Sequence, residues 1–220
     1  VSVIIAIDGP SGSGKSTVAR AVAAALGLEV LDTGAMYRAV TWAALEADVD
    51  LGDPDAVNRV ARDAHIELGE RVCVNGQDVT TAIRSPEVTG AVSTVSAYPA
   101  VRAILVAHQR AWAETHGGGV AEGRDIGTVV FPDATVKVFL TASDDERARR
   151  RQGDETSARR SVDLPTVKEE LARRDALDSG RKASPLRAAQ DAMVIDSTRL
   201  SVSDVVAEVL RRVAATKETA

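Results

Sequence analysis

Five short apolar runs punctuate the chain: VIIAI (3–7), LEVL (28–31), GVAE (119–122), VKVFL (136–140) and AMVID (192–196). Their near-continuous apolar character predicts strands covered on both faces, as in a parallel sheet. The stretches between them read as helices. STVARAVAAALG (16–27) is rich in alanine and closes on Gly27, the residue that best adopts the turn after a helix; SVSDVVAEVLRRVAATK (201–217) repeats apolar residues at helical period behind a hydroxyl start. Strands alternating with helices predict an α/β fold built on a parallel sheet.

One region breaks this rhythm. HIELGERVCVNGQDV (65–79) alternates apolar and polar residues, with Gly69-Glu70 and Asn75-Gly76 as turn signals, which predicts a small antiparallel meander. Helices flank it. One opens at GDPDAVNRVA with Asp53 as N-cap and Pro54 at the first helical position, and two more open on proline, at SPEVTGAVSTVS and YPAVRAILVAHQRAWAE. The expected organisation is one domain over 1–220, with a core of 1–32 and 115–220 interrupted by an insertion at 33–114. No internal repeat is evident.

Composition narrows the class. A chain of 220 residues with 45% hydrophobic content can bury one sizeable core with a small insertion. No apolar run approaches the roughly 18 residues that span a bilayer, and VSVIIAIDGP has no basic stretch before its apolar segment, so a buried strand is expected there, not a signal peptide or membrane anchor. The single cysteine, Cys73, allows no internal disulfide and suits a reducing cytoplasm; it is expected as a buried strand thiol. His65, His108 and His116 show no metal-site spacing. A net charge of −5 argues against a nucleic-acid polymer as partner, yet the segment 147–187 carries an excess of five positive charges, leaving −10 on the rest.

Candidate chemistry begins with IAIDGPSGSGKST (5–17). Gly9, Gly14, Lys15 and Ser16 satisfy G-x-x-x-x-G-K-[ST] between an apolar strand and a helix. Glycines allow successive N–H groups to point into one concavity, and the following helix start adds partial positive charge. The loop, Gly9, Pro10, Ser11, Gly12, Ser13, Gly14, Lys15, Ser16 and Thr17, is therefore expected to hold nucleotide phosphates, with Lys15 at the β- and γ-phosphates and the Ser16 hydroxyl on Mg²⁺. The loop alone leaves kinases, GTPases, motor ATPases and passive nucleotide sensors open. No Asn-Lys-x-Asp base-reading motif is present, nor a long apolar strand ending in an Asp-Glu pair. Instead DTGAMYR (32–38) follows the second strand. A hydroxyl at a helix start with an arginine one turn on, Thr33 and Arg38, suits a second anion, although Thr33 taken alone reads more readily as an ordinary N-cap.

DGPSGSGKST, LDTGAMYRAV, GRDIGTVVFPDA and RRDALDSGRKASPL resemble, in order and spacing, the bacterial cytidylate kinases, and the similarity runs from about 3 to 213. The resemblance implies a P-loop kinase with a five-stranded parallel sheet flanked by helices, a small NMP-binding insertion containing the antiparallel meander, and a mobile lid at 146–165. It implies transfer of the γ-phosphate of ATP to CMP or dCMP, with Mg²⁺, by a cytoplasmic monomer. Thr33, Arg38 and Arg124 would then lie at the acceptor phosphate, and Ser93, Arg102 and Asp125 would read cytosine. That assignment is chemically sensible, since the N4 amino group of cytosine calls for a carboxylate and O2 and N3 for a donor.

Arg174, Asp178 and Arg181 stand at i, i+4 and i+7, so a helix would present all three on one face. The resemblance puts Asp178 toward the ribose hydroxyls and Arg174 and Arg181 toward phosphate; Asp175 is unassigned. In the lid sequence ERARRRQGDETSARRSVDLP, it singles out Arg147 and Arg151 as cations for the transferring phosphoryl group, with QGDETS (152–157) as a mobile tip. Arg149, Arg150, Arg159 and Arg160 read as mainly solvated. The rival readings are a shikimate-type small-molecule kinase, which shares the P-loop and a glycine run such as Gly117, Gly118 and Gly119, and a catalytically silent nucleotide-sensing module.

Overall fold

The computed structural model describes residues 3–157 and 162–218. The chain runs through β1 (Val3–Asp8), α1 (Lys15–Leu26) and β2 (Val30–Asp32), then α2 (Thr33–Glu46) and α3 (Pro54–Asp63). Three short strands follow, β3 (Ile66–Leu68), β4 (Val72–Val74) and β5 (Gln77–Asp78), and then α4 (Pro86–Val95) and α5 (Pro99–His116). The remainder is β6 (Gly118–Gly123), β7 (Val136–Thr141), α6 (Asp144–Ser157), α7 (Leu164–Ser179), β8 (Met193–Asp196) and α8 (Val202–Glu218). Two compact units result, Val1–Val30 with Ala113–Ala220, and Leu31–Trp112. Among the described residues no single helix is long and apolar enough to cross a membrane.

In the first unit the sheet has the order β2-β6-β1-β7-β8. The ladders around β1 are parallel, with Val3 opposite Gly118 on one side and Ile5 opposite Val136 on the other. Ile5, Ile7, Val120, Val138 and Leu140 form its core with Val18 and Val22 of α1 and Val205, Val209 and Val213 of α8. All five apolar runs are strands, with ends shifted by one or two residues. β8 departs from the expectation of cover on both faces: it lies at the sheet edge, and Val194 is 61% exposed. β6 begins at Gly118, where only glycine fits, since a Cβ there would lie 2.3 Å from the Val3 carbonyl oxygen of the neighbouring strand.

α6 continues to Ser157, so the QGDETS stretch read as a mobile tip is helical. Acidic residues in its first turn complement the helix dipole, and Glu146 pairs with Arg149 and Arg150 three and four residues on. Together these outweigh one glycine, Gly153, whose cost in a helix is about 1 kcal/mol. Arg159 and Arg160 lie outside the described residues.

The second unit holds the meander, with β4 antiparallel to both β3 and β5. Asn75 and Gly76 both have positive φ, 51° and 80°, as a two-residue hairpin turn requires. Cys73 lies in β4, half-buried rather than fully buried. Asp53 caps α3 by accepting from the amides of Asp55 and Ala56, with Pro54 next, as the sequence implies. Val72, Val74, Val79 and Ile83 pack with Ala35 and Ala39 of α2 into a separate small core.

Candidate active site

The loop from Gly9 to Gly14 joins the end of β1 to α1. A Cβ at Gly9 would stand 2.0 Å from the Leu140 carbonyl oxygen, and one at Gly12 would stand 2.7 Å from that of Arg147, so the loop closes only with glycine at these points. Gly14 occupies the N-cap of α1 in a left-handed conformation and offers no side chain to its first amides. Those amides, with the helix dipole, make a seat for an anion. Lys15 is buried, and its ammonium donates to the Pro10 carbonyl across the loop at 2.7 Å. The Ser16 hydroxyl donates to Glu122 Oε2 at 2.8 Å.

Several cations converge beside this loop. Arg124 follows β6 and donates to Gly9 O (3.1 Å), to the Ser11 hydroxyl (2.7 Å) and, through Nε, to Asp178 (2.9 Å). Burial, reinforced by the Arg124 charge, lowers Lys15 to about 7, and the same two causes lower Arg174 to about 10, with Arg151 a further repulsive charge. Cations that weaken one another while buried mark a place short of negative charge, which a bound anion would supply. Asp125 is buried at the start of a π-helical turn, Ile126–Val130.

Arg181 corrects the expectation of a continuous helical face. α7 ends at Ser179 with Gly180 as C-cap, so Arg181 lies beyond it. It folds back, with Nε donating to the Asp178 carbonyl (3.2 Å) and Nη2 lying 3.6 Å from the Asp178 carboxylate. Asp178 thus stands between Arg124 and Arg181, but through a turn and not through helix periodicity.

Arg147 and Arg150 leave α6 toward the loop in different ways. The Arg147 guanidinium is buried and engaged with Ser11 O (3.1 Å), Asp175 (2.5 Å) and Asp144 (2.7 Å). It braces the helix against α7 and the phosphate loop. Arg150 donates to Ser13 O and to the hydroxyl and carbonyl oxygens of Ser197. It lines a cavity of about 440 Å³ together with Gly12, Gly14, Thr17, Ser197 and Val202. Arg151 is half-buried and acts on Arg174 through its charge.

The second unit gathers its own set. Asp32, not Thr33, caps α2 by accepting from Ala35 N at 3.0 Å, and Thr33 is buried in the first turn. Arg38 is buried, donating to Ile83 O (3.1 Å) and the Thr89 hydroxyl (2.9 Å). Arg102 places its guanidinium 5.2 Å from the Tyr37 ring centroid and donates to Ser96 O at 3.2 Å. Ser93 is buried on α4. Each arginine is thus held in a fixed pose, Arg38 suited to a phosphate and Arg102 to a planar ring.

Sequence reasoning missed Glu122, Asp8, Arg150 and the role of Asp175. Glu122 was accessible in principle: it is the carboxylate near the end of the strand beside β1, where α/β proteins place their ligands. Asp8 was signalled by a charge ending an apolar strand.

A family model described as cytidylate kinase matches residues 5–215. The cytidylate kinase of Geobacillus sp. (strain WCH70) is 50% identical over 214 residues, covering 95% of this chain and 95% of that protein. That of Mycobacterium avium (strain 104) is 51% identical over 209 residues, covering 93% and 92%. Among solved structures, an uncharacterized protein from Eubacterium ventriosum ATCC 27560 shares the fold with a TM-score of 0.53 at 14% identity, over 97% of this chain and 99% of that one.

Proposed function

The chain belongs to the cytidylate kinase family and transfers phosphate from ATP to a cytidine monophosphate, and from that premise we propose how its residues divide the work. Gly9 to Thr17 hold the phosphates of ATP, and Lys15 supplies a point charge at the γ-phosphate. The cavity beside Arg150 takes the donor base. In the first unit, Arg124, Arg174 and Arg181 bind phosphate, Asp178 accepts from the ribose hydroxyls and Asp125 accepts from the cytosine amino group. In the second unit, Thr33 and Arg38 bind phosphate, and Ser93 and Arg102 read cytosine. Arg151 is the lid cation at the transferring group, whereas Arg147 acts by bracing α6. The enzyme works as a monomer in the cytoplasm, on CMP and dCMP.

The observation that carries this reading is the cluster of buried Lys15 with half-buried Arg124 and Arg174 beside the phosphate loop, whose mutual repulsion an anion relieves. Phosphoryl transfer spreads negative charge over three oxygens and asks the protein mainly for positioning and cations. The Ser16 hydroxyl and the Glu122 carboxylate offer the oxygen donors Mg²⁺ prefers, so this pair would hold the ion directly or through water. When bound, the ion neutralises charge on the β- and γ-phosphates.

An ADP-release assay with ATP against CMP, dCMP, UMP, AMP and shikimate tests the assignment. CMP or dCMP is expected to be the best acceptor and UMP a poor one; preference for AMP or shikimate would reject it. pH gives a second test. The free protein loses the Lys15 proton near 7, but the nucleotide complex holds it, so binding takes up a proton at higher pH. Apparent ATP affinity is therefore expected to fall by about tenfold per unit above pH 7, and Lys15→Arg should flatten that slope. A wild-type affinity independent of pH from about 7.5 to 9 would contradict it.

A further inference from the structure

Asp8 is a buried carboxylate to which the mechanism above gives no task. It ends β1 at 3% exposure, and its two oxygens accept from the amides of Ile126 (2.7 Å) and Gly127 (2.8 Å). These are the two residues that follow Asp125. The residue before it, Arg124, is bonded to Gly9 O and the Ser11 hydroxyl. The chain on both sides of Asp125 is thus tied to the four residues 8–11, where the phosphate loop begins.

The main chain of Asp125 is also held from within. Its carbonyl accepts from Val129 N (2.9 Å) and Val130 N (3.2 Å), closing the π-helical turn. Such wide turns are rare and recur at functional sites. With one carboxylate accepting from two successive amides, the peptide planes at 126 and 127 have a single orientation, and the Asp125 side chain leaves the backbone in one direction.

We propose that Asp8 is a positioning residue for base discrimination, setting the pose of the Asp125 carboxylate relative to the phosphate loop. This rests on the reading of Asp125 as the acceptor for the cytosine amino group. Burial raises Asp8 to about 6, opposed by the two amides, while the Asp125 charge raises it further and Lys15 on α1 lowers it. At neutral pH it remains mostly ionised, so both oxygens accept. An asparagine would turn an NH₂ group toward one of the two amides, donor against donor; a serine would leave one amide without an acceptor.

The test is the ratio of kcat/KM for CMP to that for UMP, measured on a single preparation of Asp8→Asn and of Asp8→Ser. Because both acceptors meet the same enzyme, the ratio does not depend on the folded fraction. It is expected to fall by about tenfold in both variants, mainly through KM for CMP, since misplacing a reading group by a fraction of an ångström weakens its contact without removing it. The ATP dissociation constant is expected to stay within about threefold of wild type. In an Asp125→Ala background, Asp8→Asn should change the ratio no further. A wild-type ratio in both Asp8 variants, with a collapsed ratio in Asp125→Ala, overturns the inference alone. An unchanged ratio in Asp125→Ala overturns the reading of Asp125 and this inference with it.

Discussion

Lys15→Ala is expected to lower kcat by about 10³-fold while the protein stays folded, the largest effect of any single change considered. The ammonium is buried at the first position of α1 and held across the phosphate loop by the Pro10 carbonyl. A point charge in such a place acts through little screening solvent on the charge that develops in transfer. The same burial makes Lys15 a burden on the free protein. An unfolded chain takes up its proton below about 10.5 and the folded one only below about 7, so folding stability falls as pH drops through that window and levels off beneath it. Lys15→Ala removes that burden and the repulsion from Arg124. Its thermal midpoint at pH 7 should therefore equal or exceed that of wild type even as turnover is lost. Steady-state kinetics and a melting curve on one sample check both halves, and unchanged turnover would refute the loop assignment.

Asp125→Ala is expected to cost CMP about 10²-fold or more in kcat/KM while leaving ATP affinity nearly unaltered. The carboxylate is buried, so what faces it is selected by desolvation as well as by hydrogen bonding. Cytosine presents an amino donor there; uracil presents a carbonyl, and two acceptors meeting in a dry site repel. Removing the carboxylate withdraws the reward for cytosine and the penalty for uracil together, so UMP turnover should rise while CMP turnover falls. Initial rates with both acceptors, and ATP binding by calorimetry, measure the contrast. Equal losses toward ATP and CMP would remove Asp125 from base reading and make it a structural residue of the π-helical turn.

How much of this was legible in the chain depends on the range of the interaction involved. The hairpin at Asn75-Gly76 and the cap at Asp53 are decided within a few residues, and each stands as read. Where the reading strayed, a neighbour had intervened. Helix periodicity put Arg181 on one face with Arg174 and Asp178, but the helix stops at Ser179, and Arg181 reaches Asp178 by turning back. The glycine and polar residues read as a mobile tip at 152–157 are helical, because acidic residues in the first turn and the Glu146 ion pairs extend α6 through them. The family resemblance singles out Arg147, with Arg151, as a cation for the transferring group, and only its contacts with Ser11, Asp144 and Asp175 point to a brace instead.

By itself the sequence determined the alternation of strands and helices, the meander, the phosphate loop and the family, because periodicity, turn chemistry and ordered motifs are written along the chain. Only the tertiary structure decided which charges meet. Ser16 finds Glu122 from 106 residues away, and Asp8 finds the amide of Ile126 from 118, because the parallel sheet sets β6 directly against β1. Burial then makes those meetings consequential. It is what lowers Lys15 and raises Asp8, and no residue's burial or opposing charge can be read from its own stretch of sequence.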